Sequence, residues 1–390
     1  MNSRTIAVLT TSRADYGHLF WPLKALASHP DIRLQLIVTG AHLSAEFGET
    51  IQAIRTDGFE ITETVECLLS SDTDVGMAKT IGVAMLGLAD CLGRLRPDLL
   101  LLIADRYEML APASVALALR IPIAHIEGGD ISEGAIDDAV RNALTKMSHL
   151  HFTPTEPARR RVIAMGETPW RVHRVGAPSL DHLRHRTLPG KAEAATQLGL
   201  NLDLPTLVVA YHPVTLLRQT TAEADAFFGA LTNCSQQIVF CFPNADAGSR
   251  ELIVRAKQFC ETHANARLFV NLDHLTYWRL LHEAALIIGN SSSGIMESPS
   301  LALPCVNVGD RQKGRLRAAN IIDAPAEKSG IAAAIEKALS PQFRQSLEGM
   351  ENPYGDGHAG ERIAGVLAST PIDDRLLRKV ATPLDAWETG

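Results

Sequence analysis

The stretch Leu99-Leu100-Leu101-Leu102-Ile103-Ala104-Asp105-Arg106-Tyr107-Glu108 decides the fold. Five consecutive aliphatic residues without alternation describe a strand buried on both faces, as in parallel sheets covered by helices. An acid follows at once, so Asp105 emerges at the carboxyl edge of that sheet. Glu127 emerges in the same way from Pro122-Ile123-Ala124-His125-Ile126 and precedes Gly128-Gly129, where bare backbone lets a ligand approach closely. Parallel strands place these two carboxylates on one rim.

Outward from this centre, short apolar runs alternate with longer helical stretches, the pattern of βαβ units. Strand candidates in the first half are Ile6 to Thr10, Arg33 to Thr39, Leu99 to Ile103, Ile121 to Ile126, Leu150 to Thr153 and Trp170 to Val175. A second series follows at Thr206 to Tyr211, Gln237 to Phe242, Ala266 to Val270, Ala285 to Gly289 and Cys305 to Val308. The expected organisation is therefore α/β with two Rossmann-like domains, 1–178 and 179–370. A tail, 371–390, follows the break at Pro371 and is expected to pack back on the N-terminal domain. Ligands of this fold class bind at the carboxyl ends of the strands, so the active site is expected in a central cleft.

The remaining composition narrows the function. The chain has 390 residues, 46% hydrophobic and 21% charged, enough for two or three domains of about 150 residues each. A net charge of −7 and the lack of a long basic run argue against nucleic acid as a partner. Six cysteines at irregular intervals, without CxxC or paired Cys/His spacing, imply reduced thiols in a cytoplasm and no zinc site. The N-terminus turns polar too soon for a secretory signal, and no apolar run is read as approaching a membrane span, so no membrane partner is expected.

The first βα turn, Thr10-Thr11-Ser12-Arg13-Ala14-Asp15-Tyr16-Gly17, lacks GxGxxG, so no nicotinamide cofactor is expected. Ser12 and Asp15 suit helix capping, whereas the guanidinium of Arg13, at a strand's carboxyl end, suits a carboxylate or phosphate. Asp137-Asp138 opens a helical stretch ending near Lys146, and adjacent helical residues diverge by about 100°, so one acid faces the site and the other caps. Converging acids repel, which favours a cleft that moves protons. In the second half His212 ends a strand, where it could hold phosphate or act as an acid. Gly289-Asn290-Ser291-Ser292-Ser293-Gly294 follows Leu286-Ile287-Ile288 and precedes a helix near Ile295, which reads as a diphosphate cradle. Glu297 lies within that helix, where it suits the two hydroxyls of a ribose or a supporting cap, and Arg311 adds a cation.

Taken in order, Thr11 to Gly17, Asp105 to Glu108, His125 to Gly129, Ile136 to Asp138, His212 to Thr215, Pro243 to Asp246, Gly289 to Gly294 and Asp310 to Gln312 resemble the hydrolysing UDP-N-acetylglucosamine 2-epimerases of sialic-acid and legionaminic-acid synthesis. The resemblance runs from about Arg4 to Asp323. It implies a fold of the two-Rossmann, GT-B type, a dimer or tetramer, and a reaction that releases UDP while inverting C2 to give N-acetylmannosamine through a 2-acetamidoglucal. By the same resemblance Asp105, Glu127 and Asp137 are the acid/base carboxylates, and His212 also serves catalysis. Arg13, Arg106, His212, Asn244, Ser291, Ser292, Glu297 and Arg311 hold the UDP-sugar. UDP-2,4-diacetamido-2,4,6-trideoxyglucose is the alternative substrate, and a GT-B glycosyltransferase the more distant reading. Four positions depart from the family's common residues: Thr11 and Ala104 replace Gly, Asp130 replaces Glu, and Asn142 replaces His. The first two bear on loop geometry and the last two on substrate choice.

Overall fold

A computed structural model describes residues 3–69, 71, 73–133, 136–185, 188–214, 221–242, 249–270 and 272–380. The chain divides into two compact units. The first comprises Met1–Asp130, Asp137–Asp181 and Tyr354–Gly390, the second Ile131–Ile136 and His182–Pro353.

The first unit is built on β1 (Arg4–Thr10), β2 (Ile32–Thr39), β3 (Ile61–Val65), β4 (Leu99–Ile103), β5 (Ile123–Ile126), β6 (Leu150–Thr153) and β7 (Val172–Arg174). Their order across the sheet is β3-β2-β1-β4-β5-β6-β7, and every pairing is parallel. β4 sits at its centre with all five residues buried, which explains its unbroken aliphatic run. The order reverses between β1 and β4. There the loops leaving the two strands diverge, opening the crevice where such sheets bind ligands.

The second unit repeats the plan with β8 (Thr206–Ala210), β9 (Gln237–Phe242), β10 (Ala266–Val270), β11 (Leu286–Gly289), β12 (Cys305–Val308) and β13 (Ile321–Ala324). Here the parallel order is β10-β9-β8-β11-β12-β13, with the reversal between β8 and β11. A separate apolar core lies beneath it, including Phe227, Phe240, Ile288 and Ile331.

Two strands escaped the sequence reading. β3 alternates half-buried and exposed residues at a sheet edge and buries only Val65, and the short β13 is mostly exposed or half-buried, so neither shows the continuous apolar run of a central strand. The chain also returns to the first unit at Tyr354 rather than Pro371. Asp181 accepts the N–H groups of Ala359 (3.0 Å) and Gly360 (2.7 Å), capping the helix Ala359–Ser369, which packs on the helix α1 (Arg13–Ser28). The segment that follows is pinned to the same unit: Arg171 donates to the carbonyls of Leu376 (2.7 Å) and Arg378 (2.8 Å), and Lys379 to that of Ser148 (2.7 Å). Among the described residues one helix, Asp74–Leu95, is long and apolar enough by length and composition to cross a membrane, contrary to the sequence reading. It buries Thr80, Ala84, Leu88, Cys91 and Leu92 and packs against the helix Leu110–Leu119, so its apolar character has a use within the first unit.

Candidate active site

At the β1 edge the chain turns into α1 through a capping box. The Asp15 carboxylate accepts from the backbone N–H groups of Thr11 and Ser12, both at 2.8 Å, and from their hydroxyls at 3.1 and 2.9 Å, while Ser12 Oγ accepts from Ala14 N–H at 2.7 Å. All four acceptor positions of this buried acid are spent on the turn. Ser12 and Asp15 therefore hold the loop, and Arg13 is placed as the first helical residue, half-buried at the β1 edge.

β4 and β5 end side by side, with Ile103 paired to Ile126. The residues that follow both adopt left-handed backbone: Ala104 at φ +57° and Glu127 at φ +65°. Non-glycine residues held there store backbone strain, on the order of 1–3 kcal/mol each, and cluster at functional sites. The surroundings enforce it. Ala104 N–H donates to the Ile126 carbonyl (2.9 Å), Glu127 N–H to that of Phe152 (2.7 Å), and His125 Nε2 to the Ala104 carbonyl (2.7 Å). Burial holds His125 at about 4, so the ring is neutral and carries its proton on Nε2. Gly129, at φ +76°, has no space for a Cβ beside the Ala158 carbonyl.

Asp105 is ion-paired to Arg141, whose side chain is only 1% exposed. Arg141 also lies 3.5 Å from Asp138 and donates to the Asp130 carbonyl at 3.1 Å. It stands on the helix Asp137–Met147, so one helix presents Asp137 at its first residue and anchors Asp105 a turn later. Asp138 also accepts from Asn142 at 3.2 Å, one turn further along the same helix. Arg106 turns to the buried Glu108 (3.0 Å), whose carboxyl is pushed up by burial against the pull of that guanidinium. Glu127 Oε1 lies 2.8 Å from His18 Nδ1.

In the second unit the β8 and β11 ends are clasped by Asn290. Its Oδ1 accepts from the His212 N–H (2.7 Å), its Nδ2 donates to the His212 carbonyl (2.9 Å), and its own carbonyl accepts from Arg311 Nη1 (3.0 Å) and Gln312 Nε2 (2.9 Å). The buried His212 and the half-buried Arg311 are thus tied to a single residue at the switch point. Arg311 Nε is buried without a partner among the described residues. Gly289 precedes this clasp at φ +144°, where a Cβ would overlap the Ala210 carbonyl. Ser291 caps the short helix Ser292–Met296, its hydroxyl accepting from Ser293 N–H at 3.3 Å. Glu297 is buried and accepts from the Ser293 hydroxyl, which also meets Tyr277 OH at 2.9 Å. Burial and then the Glu297 charge push the Tyr277 phenol well above its usual range. Asn244 lies outside the described residues.

Asp105, Glu127, Asp137, Arg13 and Arg106 thus lie in one unit and His212, Ser291, Ser292, Glu297 and Arg311 in the other, most of them just beyond the carboxyl ends of strands. Sequence reasoning missed Asn290's clasping role, Arg141 and His18. Arg141 carried one readable signal, four residues beyond Asp137 and three beyond Asp138 on a helix. His18 carried none.

Two doubly wound α/β units with their polar loops at the strands' carboxyl ends define a protein of the two-Rossmann class. The family model of UDP-N-acetylglucosamine 2-epimerase matches residues 24–368, and the chain belongs to that family and is an enzyme of it. It is 37% identical to the GDP/UDP-N,N'-diacetylbacillosamine 2-epimerase (hydrolyzing) of Campylobacter jejuni, over 89% of this chain and 90% of that one. Identity to the UDP-N,N'-diacetylbacillosamine 2-epimerase (hydrolyzing) of Legionella pneumophila is 35%, over 96% and 98%. The crystal structure of UDP-GlcNAc 2-epimerase from Neisseria meningitidis bound to UDP-GlcNAc shares the fold, with a TM-score of 0.80 at 18% identity, covering 94% of this chain and all of that one.

Proposed function

We propose that this enzyme hydrolyses a UDP-2-acetamido sugar with inversion at C2, releasing UDP and a free sugar of manno configuration. The observation that carries the reading is the pair of neighbouring strand ends at β4 and β5. Each carries a left-handed residue and a carboxylate, Asp105 directly after Ala104 and held by a buried guanidinium, Glu127 itself left-handed and held by an imidazole. Different surroundings set two like groups to different tasks.

The chemistry requires such a set. A C2 hydrogen beside an acetamido group is barely acidic, so it leaves only as the C1–O bond to UDP breaks and C1 gains positive charge. Elimination gives UDP and a 2-acetamidoglucal. Water then adds, its hydroxyl at C1 and a proton at C2 on the opposite face, so a second carboxyl must stand apart from the first. A positioned acid or base supplies about 10²- to 10⁴-fold, and fixed donors around the departing diphosphate supply much of the rest. Asp105, Glu127 and Asp137 are assigned the proton transfers. His212, Arg13, Arg106, Asn244, Ser291, Ser292, Glu297 and Arg311 are assigned to UDP and its ribose. Arg311 is held in place by its Nη1 bond to the Asn290 carbonyl, which leaves further guanidinium N–H groups for phosphate.

The names of the 37% and 35% identical relatives support UDP-N,N'-diacetylbacillosamine as the first substrate, and the name of a 32% identical relative supports UDP-N-acetylglucosamine as the second. Self-association into a dimer or tetramer belongs to the same reading and is checked by light scattering. NMR of the reaction in D2O with EDTA, with each sugar nucleotide in turn, tests the proposal. Free sugar carrying deuterium at C2 is the expected product. UDP that remains attached to an epimerised sugar, or transfer that requires an acceptor, overturns it.

A further inference from the structure

We infer that His18 is a positioning residue for Glu127, fixing its carboxyl and exchanging its proton with water; this rests on the assignment of Glu127 to proton transfer. His18 Nδ1 meets Glu127 Oε1 at 2.8 Å, and the two side chains are 21% and 9% exposed. The carboxyl is thus enclosed while the imidazole reaches solvent.

Both partners are held from behind. Glu127 sits on left-handed backbone, its N–H bonded to the Phe152 carbonyl at the neighbouring strand end. His18 lies in the second turn of α1, and the register of that helix is set by the four bonds that Asp15 makes to Thr11 and Ser12. The backbone beneath each group is thereby anchored. The contact is made between side chains carried on fixed main chain.

The contact has chemical work to do in the reaction above. A carboxyl that takes or gives a proton at C2 must be restored before the next turnover, and a group only 9% exposed exchanges slowly on its own. A neutral His18 that donates from Nδ1 orients the carboxylate. A His18 that has gained a proton at Nε2 can pass its Nδ1 proton to Glu127, returning to neutral imidazole as the carboxyl forms. One proton enters from water and one reaches the carboxylate, with no other bond changed.

The test uses His18→Ala and His18→Asn in the full chain, with Glu127→Gln and the His18→Ala/Glu127→Gln double variant. Asparagine keeps an N–H donor near the Nδ1 position but cannot relay a proton. A hydrogen bond to a charged group accounts for about a ten- to hundredfold effect. His18→Ala is expected to lower kcat by that factor while the Kd for UDP, measured by calorimetry, stays within about twofold. His18→Asn, which keeps the donor without the relay, is expected to leave KM at the wild-type value while kcat stays low. In the Glu127→Gln background, His18→Ala should cost nothing further. An unchanged kcat in His18→Ala, or a full additional loss in the double variant, overturns the inference. Wild-type turnover in Glu127→Gln instead overturns the assignment of Glu127 itself.

Discussion

Replacing Arg141 by Met keeps a long unbranched stem and removes the guanidinium. The wild-type side chain is 1% exposed, and it serves the carboxylates of Asp105 and Asp138, which are 19% and 29% exposed. Removing one member of a buried pair leaves the other charge without its partner, which costs about 3–5 kcal/mol. Water still reaches both acids, so the lower end applies, about 3 kcal/mol including the lost bond to the Asp130 carbonyl. For a unit of this size that corresponds to a fall of about 6–12 °C in Tm. Asp105 also loses the group that aims it, so kcat should drop about hundredfold while UDP affinity holds within about twofold. The assays are thermal unfolding, UDP release and UDP calorimetry on Arg141→Met, Asp105→Asn and the double variant. Coupling predicts that the double variant costs about 2 kcal/mol less than the sum of the singles. A single variant that melts with the wild type, or a strictly additive cycle, refutes the reasoning.

Burial holds His42, His125 and His149 each at about 4, below the ordinary 6.5. Within that window the unfolded chain binds protons that the folded protein refuses, so stability is full above 6.5 and falls toward 4, by about 1.4 kcal/mol per pH unit for each ring. Urea titrations at a series of pH values should show this slope, and a flat profile would count against buried neutral rings. Gly289→Ala forces a Cβ onto the Ala210 carbonyl at φ +144° and should cost at least about 3 kcal/mol or prevent folding, read by circular dichroism. Asp15→Ala frees the Thr11-Ser12 turn, at about 1–2 kcal/mol, and should raise the KM for the UDP-sugar by moving Arg13. An unchanged KM would separate Arg13 from substrate binding.

Much of the architecture was legible because it follows from local chemistry. An unbroken run such as Leu99 to Ile103 satisfies only a strand covered on both faces, and an acid directly after it must emerge at the carboxyl edge. The capping box at Ser12 and Asp15 was readable for the same reason, since a cap is made with residues two or three positions away. The return of the chain at Tyr354 was also marked, by the turn from Pro353 to Gly357 in which Gly355 and Gly357 have positive φ, although Pro371 drew the boundary instead.

What the sequence determined, then, is everything set within a few residues: strands, turns, caps and the acids that follow strands. Only the tertiary structure could decide the strand order, since β1 pairs with β4 across roughly ninety residues and that pairing creates the switch point. The same holds for the partners of the site. Arg141 meets Asp105 at a separation of 36 residues, His18 meets Glu127 at 109, and Asn290 holds His212 at 78. Such contacts depend on how helices and strand ends are brought together once apolar faces are buried. Side-chain type and spacing carry no record of that geometry.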